Sequence, residues 1–326
     1  MILKQEPEFI RAIENKCCLP VFLQPTAPYG NWPARSPFSR LSGMRTVAVL
    51  NHKGGVGKTT FTGCTAQALA LSGFRVCVID NDSQHNLSSL LGVGVRSPSI
   101  RDVYTCSPDQ APETLLRAIR KTEVAGLHMI TSEKYLCDGD TGDIMRLKTT
   151  LQQCGLDRYY DMLLIDNAPG LDRLQGAAIC AADEIFVPTE LRQFAVDGLV
   201  EMVETITKRF PEGARLSRII PNFYKNTVRQ RSFIAALEKM FPGKVTRTAI
   251  PVDPVFDEVV TDGKILFLHR LYSNGAAHYL KLIHELFSLD EEAVWEQVME
   301  KRAERRSNEA RRRFFARKER NRSDGA

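Results

Sequence analysis

Residues 50–61, LNHKGGVGKTTF, constrain this chain more than any other stretch. An apolar run, Thr46 to Leu50, precedes them and reads as a short buried strand. The segment Phe61 to Leu71 follows and reads as a helix. Strand, glycine loop and helix together are the setting of a phosphate-binding loop. Gly54, Gly55 and Gly57 let the backbone turn tightly around Val56 and aim several N–H groups at one point. The helix opening at Thr59 and Thr60 adds its positive end. Lys58 is placed to reach β- and γ-phosphates, and the Thr59 hydroxyl to bind Mg²⁺. The loop departs from G-x-x-x-x-G-K-[ST] at its first position, where His52 replaces glycine, and it carries a second lysine, Lys53.

Further acids close two other apolar runs. Arg75 to Asp80 reads as a strand that runs into Asn81-Asp82-Ser83-Gln84-His85-Asn86. Met162 to Asp166 reads as another, ending in Asp166-Asn167-Ala168-Pro169. Acids at the C-terminal ends of buried strands lie where open α/β sheets bind ligands. Strands are also expected at 126–131, 183–190 and 216–222. Helices are expected near 97–103, 112–119, 142–155, 194–209 and 276–287. This alternation predicts an α/β fold with a mainly parallel, doubly wound sheet of the P-loop NTPase type. His128, within the strand at 126–131, reads as a core or edge histidine rather than a ligand.

KGGVGKTT resembles the deviant Walker A motif of the ParA/MinD family of dimeric ATPases. Three more segments carry the resemblance. Asp80 to Asn86 is similar to the family's D-x-D-P-Q-G-N, with Ser83 for proline and His85 for glycine. Val187-Pro188 through Gly198-Leu199 is similar to V-P-x-x-x-E-x-x-A-L-x-G-L. Ile250-Pro251 through Glu258 is similar to I-P-x-x-x-x-x-x-E. The match spans about 44–288 and lies closest to ParA-type (Soj-like) partition ATPases.

The resemblance implies ATP and Mg²⁺ as cofactors and Mg-dependent hydrolysis to ADP and phosphate. Lys53 would reach across a homodimer to the partner's nucleotide, and Asp82 would position the attacking water; these two are the catalytic candidates. Thr59, Asp82 and Asp166 would organise the metal, and Asn222 and Pro251 would flank the adenine. A strand-end polar cap explains Asn222 equally well. The implied function is ATP-driven partition or positioning of a plasmid, chromosome or other large cargo. Non-specific DNA and a ParB-like adaptor would be the partners, at a cytoplasmic, nucleoid-associated location. The alternatives are a MinD-like membrane-cycling ATPase and ParA-like positioning of a protein assembly.

Charge separates the ends of the chain from its body. Residues 301–322 hold eleven Lys/Arg and three Glu, a net of +8, whereas the whole chain is +5. The basic character therefore belongs to residues 301–322, within a C-terminal helical tail (residues 289–326), and the chain outside 301–322 is about −3. In that tail Val294 and Val298, with Trp295 and Met299, are placed to dock on the body. Arg305, Arg306, Arg311, Arg312, Arg313, Arg317 and Lys318 are candidates for DNA backbone contacts through counterion release. Phe314-Phe315 with basic flanks leaves a membrane surface as the second option. Lys225, Arg229, Arg231 and Lys264 are body candidates that also read as solvated surface charge. Residues 1–43 carry six of the sixteen prolines and read as an irregular extension. Met44 is a candidate start. The eight cysteines form no C-x-x-C pair, and Cys64, Cys77 and Cys180 read as core thiols in a reducing compartment.

Overall fold

The computed structural model describes residues 43–192, 195–262, 266–290, 292–304 and 306–308. The expectations for 1–42, Gln193, Phe194, Lys264, Arg305, Arg311–Arg313, Phe314, Phe315, Arg317 and Lys318 lie outside these. The chain begins with β1 (Arg45–Val49), α1 (Lys58–Leu71), β2 (Val76–Asn81), α2 (Asn86–Leu90), α3 (Ile100–Thr105) and α4 (Ala111–Ala118). It continues through β3 (Ile119–Lys121), β4 (Leu127–Ile130), α5 (Arg146–Cys154), β5 (Met162–Asn167), α6 (Arg173–Ala181) and β6 (Glu184–Glu190). Then come α7 (Ala195–Arg209), β7 (Arg215–Asn222), α8 (Val228–Met240), α9 (Val255–Asp262), α10 (Leu266–His269) and α11 (Asn274–Phe287).

One seven-stranded sheet runs β3-β4-β2-β5-β1-β6-β7. All neighbours are parallel except β3 with β4. The inner strands are apolar on both sides, as a sheet covered on both faces requires. Val47 and Val49 of β1 join one core with α1 and α11; Ala48 and Leu50 join the other, with α3 to α7. Successive residues thus point to opposite faces. β1 lies between β5 and β6, so the loop after it opens at the middle of the sheet's C-terminal edge.

Three local readings are corrected. Ile119 was expected to end a helix; it begins β3, paired antiparallel with Ile130 of β4. The helix stops at Ala118 because pairing with β4 captures the next backbone groups. Helix α8 was not expected at all: Phe233, Ile234 and Leu237 pack its inner face on the second core, and the Thr227 side chain caps it by accepting from Gln230 N at 3.2 Å. Third, the docking expected beyond residue 288 holds for Val294, Val298 and Trp295 but not for Met299. Residues 292–304 are helical, and Leu289, Val294 and Val298 lie in the same core as α1 and α11, with Trp295 against it. Met299 stays 43% exposed and instead meets the Tyr272 hydroxyl through its sulfur, at 3.7 Å. No described helix is long and apolar enough to cross a membrane.

His128 packs as expected, its Nδ1 2.7 Å from the Tyr160 hydroxyl. Burial, and then the charge of Lys121, push the imidazole down to about 4. The folded state therefore excludes a proton that the unfolded chain takes up below its ordinary value of 6.5. The resulting stability is intact above pH 6.5 and is lost as pH falls towards 4. Melting of His128→Gln against the parent should show a shallower loss between pH 6.5 and 4; parallel curves would rule this contribution out. Cys64, Cys77 and Cys180 are buried free thiols, the Cys77 thiol pushed up to about 12 by burial.

Candidate nucleotide site

The loop between β1 and α1 is held from three sides. From β6, the Pro188 carbonyl accepts from Asn51 Nδ2 at 2.9 Å, and Asn51 Oδ1 accepts from Lys53 N at 3.0 Å. From β7, Asn222 Nδ2 donates to the Val56 carbonyl at 2.9 Å. From within, the Lys58 ammonium donates to the carbonyls of Asn51 and Lys53 at 3.2 and 3.1 Å. Gly57 is required on two counts. Its φ is +86°, and a Cβ there would sit 2.4 Å from Asn222 Nδ2. The result is a ring of backbone closed around a lysine that is only 6% exposed. Burial lowers the pKa of Lys58, while the charges of Asp166 and Asp82 oppose that shift.

Acids gather beside it. Asp166, at the end of β5, accepts from Thr59 Oγ1 at 2.7 Å and from Thr62 Oγ1 at 3.0 Å. Thr59 and Thr62 stand one turn apart on α1, so both hydroxyls face the same strand end. Asp80 is the register neighbour of Asp166. It accepts from Ser88 N and Ser88 Oγ at 2.8 and 2.7 Å, which ties the start of α2 back to β2. Burial pushes Asp80 up to about 6. Burial and the neighbouring Asp80 push Asp166 up to about 7, against the pull of Thr59, Thr62 and Lys58. Asp82 is buried in the same loop and accepts from Gln84 N at 2.9 Å. His85, which replaces the glycine of the D-x-D-P-Q-G-N segment, holds a left-handed φ of +43°. That conformation costs a side-chain-bearing residue about 1–2 kcal/mol.

Below the acids lies a buried amide network. Asn81 Nδ2 donates to Asn167 Oδ1 at 2.9 Å and to the Leu174 carbonyl at 3.1 Å, and the Tyr104 hydroxyl donates to Asn81 Oδ1 at 3.1 Å. It joins the ends of β2 and β5 to α3 and α6 and keeps the two acid-bearing strands in step.

The donor set fits a hard divalent cation bound mainly through other ligands. One threonine hydroxyl and one carboxylate sit side by side, and two buried carboxylates lie next to each other with no lysine or arginine among the described residues directly bonded to either. Among the described residues no cluster of three or more His, Cys, Asp or Glu could hold a metal alone. Mg²⁺ characteristically takes one or two protein oxygens plus water and phosphate.

The nucleoside side departs from expectation. Asn222 has its amide committed to the loop and its Oδ1 to Phe223 N at 2.9 Å, so the strand-end reading describes it best. Pro251 forms a bridge with Tyr224. Between them and the loop lies a cavity of about 430 Å³, lined by Gly55, Glu190, Leu191, Arg192, Phe223, Lys225, Gln230 and Val252. Gln230 fixes its wall by donating to the Phe223 carbonyl at 3.0 Å and accepting from Lys225 N at 2.7 Å. Sequence reasoning missed Asn51, Thr62, the loop-holding role of Asp80 and this lining. Thr62 alone left a signal, its spacing from Thr59.

Lys53 stands apart from Lys58. Its backbone is pinned at both ends by the loop bonds above, but its side chain is exposed and bonds to no described residue. Arg306 is exposed on the helical residues beyond the core, and Lys225, Arg229 and Arg231 are exposed around the start of α8.

A family model described as an AAA domain matches residues 44–213. The chain is 32% identical over 255 residues to a chromosome partitioning protein ParA of Caulobacter vibrioides, covering 75% of this chain and 94% of that one. It is 32% identical over 254 residues to the chromosome-partitioning ATPase Soj of Thermus thermophilus, covering 77% and 98%. The solved septum site-determining protein MinD of Pyrococcus horikoshii, in complex with Mg-ADP, superposes with a TM-score of 0.62 at 25% identity, over 74% of this chain and 96% of that one.

Proposed function

The chain belongs to the ParA family of partition and positioning ATPases, and from that premise we propose that it binds and hydrolyses ATP as a homodimer that holds non-specific DNA in its ATP state and so moves or places a large cargo. The observation that carries this reading is the division between two lysines five residues apart. Lys58 is buried and turned into its own loop, whereas Lys53 has a fixed backbone and an exposed side chain with no described partner. One serves its own subunit; the other is available to a second one.

The chemistry follows from the residues. Lys58 exchanges its two carbonyl partners for the β- and γ-phosphate oxygens, which the loop N–H groups also meet. Thr59 and Asp166 hold the Mg²⁺ shell, and Asp82 orients the attacking water. Mg²⁺, when bound, would supply neutralisation of the phosphate charge. The partner subunit's copy of Lys53 offsets the charge that develops on the phosphoryl group, as an arginine finger does elsewhere. The base enters the cavity beside Phe223 and Val252, with Pro251 and Asn222 behind it.

Turnover is slow for the protein alone and faster with a ParB-like adaptor. ATP-bound dimers stay on DNA at the nucleoid, and hydrolysis releases them. Arg306 and the other basic residues of 305–318 supply the DNA backbone contacts.

A gel shift on random-sequence duplex at low salt tests this, comparing ATP with ADP. The expected result is a shift that requires ATP. Glutamate at positions 311–313 in the full-length chain should weaken it about ten-fold or more. A truncation used for the same purpose must spare Val294 and Val298, which belong to the core. A shift indifferent to nucleotide overturns the coupling of DNA to the ATP cycle. No shift, with binding to anionic vesicles instead, overturns the DNA reading.

A further inference from the structure

His52 stands where an ordinary phosphate loop has glycine, and its surroundings assign it a task. The ring lies against Gly198 of α7. A Cβ at 198 would sit 3.1 Å from His52 Cε1, 3.3 Å from His52 Nε2 and 3.8 Å from Lys53 Cε. Gly198 thus meets both side chains of the His52-Lys53 pair at once. Glycine inside a helix is unfavourable relative to alanine, and here the close approach gives it a reason. His52 Nδ1 is buried and bonds to no described residue, so packing against Gly198 is what holds that side of the ring. Burial and the charges of Lys53 and Lys58 lower its pKa, opposed by Glu201, one turn beyond Gly198 on α7.

Everything else about Lys53 is fixed by its backbone. Asn51 Oδ1 holds its N–H and Lys58 holds its carbonyl. Only the side-chain torsions are free, and the surface their stem runs along is Gly198, with His52 beside it.

We propose that His52 and Gly198 form a seat that aims the Lys53 side chain out of its own loop towards the second subunit, making both positioning residues for Lys53. This rests on the reading of Lys53 as the lysine that serves the partner's nucleotide. The seat has two halves. Gly198 leaves the stem room to lie flat on α7, and the neutral His52 ring closes the other side. A larger residue at 198 lifts the stem off the helix, and a smaller one at 52 lets it swing. Either change misplaces an ammonium whose value depends on position, and leaves Lys58, Thr59 and Asp166 untouched.

The test is a double-mutant cycle on ATP turnover, with kcat and KM measured separately on the full-length protein. His52→Ala and Gly198→Val are each expected to lower kcat about ten-fold or more while KM for ATP stays within about two-fold. His52→Gln, which keeps a planar polar group of similar reach, should recover most of the rate. In a Lys53→Ala background neither change should lower kcat further. Losses that add to that of Lys53→Ala overturn the inference and leave the reading of Lys53 standing. A Lys53→Ala protein with normal kcat and normal ATP-dependent dimerisation overturns both. A rise in KM at constant kcat overturns the seat, because it makes His52 part of the ATP cradle. Thermal melts of each variant without nucleotide identify a folding defect. If Gly198→Val melts early, the His52→Ala and His52→Gln pair decides.

Discussion

Lys58→Ala is expected to weaken ATP binding by about a hundred-fold or more, at about 1.5–3 kcal/mol for each charge-assisted bond to phosphate lost. Lys58 is the most enclosed cation of the site, 6% exposed and bonded to the Asn51 and Lys53 carbonyls at 3.2 and 3.1 Å. An ammonium kept out of water against the push of burial is poised for an anion that gives it better partners than two carbonyls. Its loss removes a positive charge that pulls down the raised Asp166 carboxyl. It also leaves two loop carbonyls without their donor. Two consequences should separate in experiment. The protein without nucleotide should lose about 1–3 kcal/mol of stability from the unpartnered groups. The affinity loss should persist at temperatures where the variant is fully folded. Titration with a fluorescent ATP analogue checks the second point, and an affinity within about three-fold of the parent would show that this loop does not carry the phosphates.

The parts of this site that were legible in the sequence are those where chemistry and local order coincide. Lys58, Thr59 and the glycines lie in one continuous turn between strand and helix. Asp166 ends an apolar run that could only be a buried strand. What was not legible depends on contacts between distant residues. Thr62 reaches Asp166 across more than a hundred positions, and Asn222 reaches the Val56 carbonyl across more still. An amide at a strand end reads the same whether it caps its own strand, braces a loop or awaits a base. Asp80 reads as a strand-end acid at the ligand edge, and its task of holding the loop shows only where Ser88 folds back on it.

The fold divides in the same way. Strands β1, β2, β5, β6 and β7 announce themselves as buried apolar runs, whereas β3 is three residues long, two of them Arg120 and Lys121, and exists because β4 offers an edge. Helix α8 hides its narrow apolar face among Arg229, Arg231 and Lys239, although Thr227 and Gln230 spell a capping signal. Beyond α11 the spacing of Val294 and Val298 placed one helical face on the body, and both are fully buried. Met299, one position further round, stays outside because the helix turns it away from the core.

Asp82→Asn is expected to lower kcat by about 10²-fold to 10⁴-fold, the range for a positioned acid–base group, with ATP affinity held within about three-fold. Two neighbouring acids make this a sharp test. Asp80 is fully buried, and its carboxylate is already bonded twice to Ser88, so it holds the loop and has little left to offer a substrate. Asp82 is 9% exposed and accepts from Gln84 N within its own turn, and its charge is felt by Lys58. It therefore borders the place where phosphate would lie, with acceptor capacity to spare. Asp80→Asn should act differently. An amide in place of Asp80 can keep both Ser88 bonds through its oxygen only by setting its NH₂ against the Asp82 N–H that Oδ1 accepts at 3.4 Å, so the loss should appear in the melting temperature and reach turnover only through the displaced loop. The contrast can be read from two measurements on each variant, single-turnover hydrolysis and thermal melting without nucleotide. Asp82→Asn should leave melting unchanged and trap ATP-bound dimers on DNA. If Asp82→Asn hydrolyses normally while Asp80→Asn does not, the water-orienting acid is Asp80, and the loop is held by Ser88 and its backbone alone.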